Sequence, residues 1–295
     1  MDGVNGYEGW RWIFIVEGLI TVIIAFVAFF FIAPWPEECE FLKPDEKALL
    51  LKRLAVDRGQ GTMNRLDMRA FINTLSDWKI WAGMLAYFGA DHSASAIVSF
   101  QPTILKQLGY TSSQAQVHTI PVFMVAFVLS ITAAWFSDRV SHRYGFAMLG
   151  VTLATIGWTI ELAQANPAGA RYFGLFAITS GVYITMPVLV VWNMNNLGTG
   201  YKRVIGSAFQ IGGGNCAALV SSNVFISTEA PRYPTGFGVG FALNVLAGIC
   251  CTVLFFGLRA ENRRRDRGER DDRLALPPHE RDNLGDEHPT FRYTL

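Results

Sequence analysis

The sequence predicts an all-α polytopic membrane protein, and three observations carry that expectation. Seven stretches are each long and apolar enough to cross a bilayer. The 25 Lys and Arg residues fall almost wholly on one side of them. Charged residues make up only 17% of the chain, against 51% hydrophobic. About 20 apolar residues in a helix match the ~30 Å hydrocarbon core, and the charge fraction is below the roughly 25% usual in soluble domains.

The seven spans, in order, are residues 13–33, 80–100, 120–136, 146–165, 173–192, 204–225 and 237–258. Glu17 is the one charged residue of the first, Asp91 of the second and Glu161 of the fourth; the others have no Asp, Glu, Lys or Arg. The first run is too long for a signal-peptide core, lacks a basic lead and has no small-residue cleavage site. It is expected to be a retained span.

If the segment between the first two spans lies inside, alternation places 21 basic residues inside. It leaves Arg11, Lys106, Arg171 and Arg232 outside. Basic residues favour the cytoplasmic side, so the C-terminus is expected in the cytosol and the N-terminus outside. The net charge of +1 gives no case for a nucleic-acid partner. Of the four cysteines, Cys216, Cys250 and Cys251 sit in spans and Cys39 in the loop. They read as small apolar side chains. Their spacing fits no metal site, and no cofactor is expected.

The loop at 36–79 is polar but patterned. Pro44-Asp45-Glu46 reads as a first helical turn, with Pro at N1 and acids at the positive end of the dipole. Leu50, Leu51 and Leu54 give residues 48–56 an apolar stripe, and Gly59-Gln60-Gly61 ends it. A second short helix is expected at 66–75, with Met68, Phe71, Ile72 and Leu75 on one side, and Asp77 is placed to cap the next span. Residues 259–295 are charged and proline-bearing and are expected to be a disordered cytosolic tail. Its leading arginines would anchor the last helix against anionic lipid.

Polar groups inside a membrane are costly and mark pathways. Asp91-His92 lies near the middle of the second span. The pair could bind a proton or contact substrate, or Asp91 could simply pair within the bundle. As helical neighbours the two point about 100° apart. Glu17 reads as interfacial, and Glu161 is expected to reach the outer interface. Asn193, Asn195 and Asn196 close the fifth span, while Gln210 and Asn215 flank Gly212-Gly213-Gly214 in the sixth. Three glycines weaken a helix. They suit either a hinge lining a cavity or close helix packing. The inner loop Ser137-Asp138-Arg139-Val140-Ser141-His142-Arg143 sets an acid beside one base and five before another. It offers a carboxylate for pairing and two cations for helix C-termini. Phosphate-loop, nucleophile-elbow and HExxH signatures do not occur, so the chain does not read as an enzyme.

With these residues in view, the chain resembles the major facilitator superfamily. Ala134-Trp135-Phe136-Ser137-Asp138-Arg139-Val140-Ser141-His142-Arg143 is similar to its loop signature G-x-x-x-D-R-x-G-R-R. Ala134, Ser141 and His142 depart from it. More narrowly the chain resembles the fungal anion:cation symporter group, which includes allantoate, nicotinate and pantothenate permeases. Gly9-Trp10-Arg11-Trp12-Ile13-Phe14-Ile15-Val16-Glu17-Gly18, Phe41-Leu42-Lys43-Pro44-Asp45-Glu46, Asn195-Asn196 through Lys202-Arg203, Asn215, and Glu229-Ala230-Pro231-Arg232-Tyr233-Pro234-Thr235-Gly236-Phe237 carry that resemblance.

The resemblance implies a partial major-facilitator fold. Residues 1–35 would be a sixth-span helix of a missing N-terminal lobe and 36–79 the inter-lobe loop. Residues 80–258 would be the C-terminal six-helix transport lobe. It implies a transporter of small carboxylates or vitamins, coupled to protons, working by alternating access from the plasma membrane. Asp91, Tyr183, Gln210 and Asn215 would line the substrate path; Asp138, Arg139 and Arg143 would form the inner gate. A non-transporting remnant and a seven-span receptor are the competing expectations. The long first inner loop and the lack of receptor signatures weigh against the receptor.

Overall fold

The computed structural model describes residues 6–34, 36–39, 41–58, 68–164, 167–198, 200–281 and 284–295. The chain divides into two units, Met1–Gly59 and Gln60–Leu295.

In the first unit, α1 (Gly9–Phe31) is a 23-residue apolar helix with no buried residue. A helix apolar all round needs lipid or another helix about it, and Glu17 is among its exposed residues. α2 (Pro44–Arg58) begins at the expected proline. Its first-turn acid turns back on the entering chain, the Lys43 amide donating to Glu46 Oε2 at 3.2 Å. The expected break at Gly59-Gln60-Gly61 lies outside the described residues.

The second unit holds α3 (Met68–Leu75), α4 (Trp78–Gln107), α5 (Ser112–Val140), α6 (Arg143–Leu162), α7 (Ala168–Asn196), α8 (Tyr201–Asn215), α9 (Ala217–Val224), α10 (Pro234–Asp266) and the short α11 (Pro278–Arg281). Residues 66 and 67, the expected start of α3, are outside the described set. Asp77 caps α4 as expected, accepting from the Lys79 amide at 3.0 Å. Thr111 caps α5 in a reciprocal box with Gln114.

Among the described residues six helices are long and apolar enough to span a membrane, α8 and α9 counting as one. The seventh expected span, α4, has 30 residues but is not one of the six. Asp91, His92, Ser93, Ser95, Ser99 and Gln101 make it more polar. α4 can be polar because it is central. Half its residues are buried, and it packs against α5, α7, α8, α9 and α10. The expected sixth span is broken at Cys216, two residues after the glycine run.

Small residues let the helices approach. Gly150 and Gly157 on α6 meet Gly174 and Gly181 on α7. A Cβ at Gly157 would stand 2.5 Å from the Gly174 carbonyl oxygen, and one at Gly181 would stand 2.4 Å from that of Gly150. Both pairs sit two helical turns apart on their helices, giving a seam of close packing. Trp158, Phe237, Leu175 and Ile178 form one apolar core; Trp192, Leu189, Cys251 and Leu258 form a second.

The tail departs from expectation. Tyr293 is buried in the second core, with Phe291 and Leu295 packed against it. The Thr294 amide donates to Asn196 Oδ1 at 2.8 Å, Trp192 Nε1 donates to the Thr294 carbonyl at 2.8 Å, and the Arg143 amide donates to the Leu295 carbonyl at 2.7 Å. Composition suggested a solvated chain, but these residues are satisfied by partners on α6 and α7. These contacts also bring the start of α6 and the end of α7 to one end of the bundle, here termed the tail end.

Candidate functional site

Midway along α4, Asp91 is 8% exposed. Tyr87 lies one turn before it on the same helix, and α7, which carries Tyr183, packs against α4. Tyr183 is half-buried against Phe123, and its carbonyl accepts from Ser130 Oγ at 2.7 Å, which ties α7 to α5. Two expected lining residues, Asp91 and Tyr183, thus sit on packed helices, with Tyr87 one turn from Asp91. An acid one turn after a tyrosine was the available sequence signal for Tyr87.

His92 points elsewhere, as the 100° offset requires. It is fully buried beside Ala217 of α9, and neither ring nitrogen makes a hydrogen bond of good geometry among the described residues. The structure does not bring Asp91 and His92 onto one face.

Gln210 is fully buried and committed to protein partners. Asn193 Nδ2 donates to its Oε1 at 2.8 Å, and its own amide donates to the Leu189 carbonyl at 3.3 Å. This is a lock between α7 and α8 that sequence reasoning did not foresee. Asn215, at the end of α8, is exposed. Two of the three glycines between them serve packing, while Gly212 has open space around its missing Cβ. A Cβ at Gly214 would meet the Tyr87 ring at 2.2 Å, and one at Gly213 would meet Met84 at 2.9 Å. α8 therefore lies directly on the face of α4 that carries Tyr87.

At the tail end, Arg143 closes on the preceding turn. Its Nη2 is 2.5 Å from Asp138 Oδ1, and its Nη1 donates to Ser137 Oγ at 3.0 Å. Arg139 does not join them; it is exposed, with its guanidinium 5.2 Å from the Trp135 ring centroid. The departures from the loop signature have structural answers. Ser141 ends α5 in the left-handed region, φ 54° and ψ 31°, where glycine is the easier residue. His142 caps α6, its Nδ1 accepting from the Gly145 amide at 3.2 Å.

Two further charge groups were not anticipated as such. Glu161 does not reach an interface; it is fully buried and accepts from Arg171 Nε at 3.0 Å. At the tail end Lys79 and Lys202 share Asp77 and Asp286 in a four-membered square, at 2.7–2.9 Å. Tyr293 Oη reaches both Lys79 Nζ and Asp286 Oδ2.

A family model described as Major Facilitator Superfamily matches residues 4–222. The chain belongs to the major facilitator superfamily. It is 32% identical to "MFS transporter prlL" of Fungal sp. (strain NRRL 50135), with 91% of this chain and 55% of that protein covered. It is 30% identical to the "High-affinity nicotinic acid transporter" of Saccharomyces cerevisiae, covering 97% of this chain and 54% of that one. It is also 30% identical to "Major facilitator-type transporter hxnP" of Emericella nidulans, covering 99% and 59%. The chain spans a little over half the length of these curated relatives. As a superfamily member with this set of apolar helices it is an integral membrane protein, and its relatives are transporters rather than enzymes.

Proposed function

We propose that this chain contributes a transport lobe to an alternating-access carrier of small organic anions, nicotinate-like carboxylates or vitamins, moved together with protons. Residues 80–258 would be that lobe, 36–79 the cytosolic loop before it, and 1–35 a helix belonging with the other lobe. The carrying observation is the buried acid Asp91 midway along α4, with Tyr87 one turn away and Tyr183 on the helix packed against it. Substrates of such carriers sit near the midplane between lobes. Phenol donors suit a carboxylate ligand, and a buried acid suits a proton that must accompany an anion. Asn215 would add an amide from α8, with Gln210 holding α8 against α7 through Asn193. Asp138 and Arg143 would brace the inner gate, with Arg139 free to reach a neighbouring helix. The tail would face the cytosol from the plasma membrane.

The test is uptake of labelled nicotinate into cells lacking their own carrier. The chain is expressed alone and beside the preceding half of the Saccharomyces cerevisiae relative. Uptake in the paired cells that rises as the medium is acidified supports the proposal. No uptake of any carboxylate tried, with both polypeptides at the surface, overturns it.

A further inference from the structure

At the tail end of the bundle a cleft of about 630 Å³ opens between α3, the start of α4, the end of α10 and the tail. Its lining carries five cations, Lys79, Arg264, Arg265, Arg270 and Arg273, against three acids, Asp77, Glu261 and Glu287. Two of the cations are spent inward. Lys79 lies 2.9 Å from both Asp77 and Asp286, and Arg265 donates to the Asp286 and Phe291 carbonyls at 2.9 Å. At the mouth Glu261 takes Arg270 in a two-point pair at 2.9 and 3.0 Å, and Glu287 holds Arg273 at 3.3 Å. Glu261 lies 3.4 Å from Arg265 but 3.9 Å from Arg264, whose side chain is 54% exposed. Arg264 is thereby the least engaged of the lining cations, next to an Arg270 that uses only two of its nitrogens on Glu261. Guanidinium forks match phosphate oxygens two at a time.

The cleft has an apolar collar. Trp78 is 45% exposed and its ring lies over Gly257, where a Cβ would stand 2.4 Å away. α3 turns Met68, Phe71 and Ile72 outward while burying Thr74. Its end is fixed to α4 by Trp81 Nε1, which donates to the Leu75 carbonyl at 2.6 Å. An amphipathic helix with its apolar side outward, next to the spans of a membrane protein, is accommodated by acyl chains.

We propose that this cleft is a headgroup site for an anionic phospholipid. The phosphate sits between Arg264 and Arg270, and the acyl chains run past Trp78 and the apolar side of α3. Free phosphate shares the headgroup chemistry but gains nothing from the collar. Basic pockets at the ends of spans hold anionic headgroups in this way. The site is independent of what the carrier moves.

The test places the full chain in phosphatidylcholine vesicles doped with bromine-labelled phosphatidylserine or, at equal mole fraction, bromine-labelled phosphatidylcholine. The signal is the Trp78 fluorescence, taken as the difference between the unaltered chain and Trp78→Phe. Quenching several-fold stronger with the serine lipid is expected, lost in Arg264→Gln/Arg270→Gln and only partly kept in Arg264→Lys. Should the double variant fail to fold, Arg264→Gln alone, at an exposed position, is expected to weaken the preference. Equal quenching by the two lipids overturns the proposal, as does an unchanged preference in a folded Gln variant. Abolition of the preference by inorganic phosphate would make this a free-phosphate site and overturn the lipid assignment.

Discussion

Asp286, from the tail, is held between Lys79 of α4 at 2.9 Å and Lys202 of α8 at 2.8 Å, and is fully buried there. With Asp77 it balances two buried ammonium groups. Removing one partner of a buried pair leaves an uncompensated charge, which costs about 3–5 kcal/mol. Asp286→Asn is therefore expected to lower the unfolding midpoint of the detergent-solubilised chain by many degrees. Conversion of an exposed pair such as Arg292–Asp266, at 3.0 Å, is expected to change it little. A thermal-unfolding comparison of the two variants checks the contrast.

Acid should act through the same square. Burial pushes the Asp77 carboxyl up, but Lys202 and Lys79 outweigh burial and hold it below its ordinary 3.8. A carboxyl lowered in the fold contributes stability above its unfolded value and loses it as pH falls through the folded one. The midpoint is expected to hold from neutrality toward 3.8 and to fall below it. Asp77→Asn, already lacking that carboxylate, is expected to be less stable at neutral pH and flatter in acid. A pH series of unfolding midpoints gives the answer, and a steeper acid fall in the Asn variant would contradict it.

The square also shows what a single sequence withholds. Lys79 and Tyr293 are 214 positions apart, and nothing local in either segment points to the other. Arg265, Asp286 and Arg292 looked like solvated charges by composition, yet each has a partner, so the tail folds. The spans themselves were legible because bilayer thickness imposes a length that any sequence must meet. α4 was expected as a span from an apolar run with a single acid, yet its polar residues leave it outside the six apolar helices, and the structure shows it central to the bundle instead. Asp91 stood out as an acid in an apolar run, and Asp138 with Arg143 by spacing. Tyr87 did not, and Asn193 was visible only as an amide closing a span, because their partners Gly214 and Gln210 lie on another helix.

Ser141 tests the loop signature directly. It occupies the left-handed region at φ 54°, where a residue with a Cβ is strained by roughly 1–2 kcal/mol. Its hydroxyl is 3.5 Å from the Asp138 carbonyl, a weak offset. Ser141→Gly is expected to stabilise the chain by about 1 kcal/mol and to leave the Asp138–Arg143 pair intact. Ser141→Val is expected to destabilise it. Urea or thermal unfolding of the two variants reads the sign.

The α6–α7 seam predicts a size limit. At Gly157 an added Cβ would stand 2.5 Å from the Gly174 carbonyl oxygen and 2.6 Å from Ile178 Cγ1. Backbone cannot yield as a side-chain tip can, so Gly157→Ala should force the helices apart at a cost of about 1–3 kcal/mol. Gly169, with open space around its missing Cβ, is the control, and Gly169→Ala is expected to be neutral or mildly stabilising. Equal effects of the two substitutions on the unfolding midpoint would contradict the seam.

Asp91 separates coupling from binding. If its carboxylate takes the transported proton, Asp91→Asn removes the proton but keeps a polar group of the same shape one turn from Tyr87. Uptake in the paired-half cells should then fall roughly tenfold or more, equivalent to about 1.4 kcal/mol on the transport barrier. The residual uptake should no longer depend on external pH. Tyr183→Phe, which deletes one donor, should weaken apparent affinity for the anion while leaving the pH profile in place. Wild-type pH dependence in Asp91→Asn would remove the acid from the coupling step. An unchanged affinity in Tyr183→Phe would remove the phenol from the substrate path. The two variants therefore test the midspan group residue by residue.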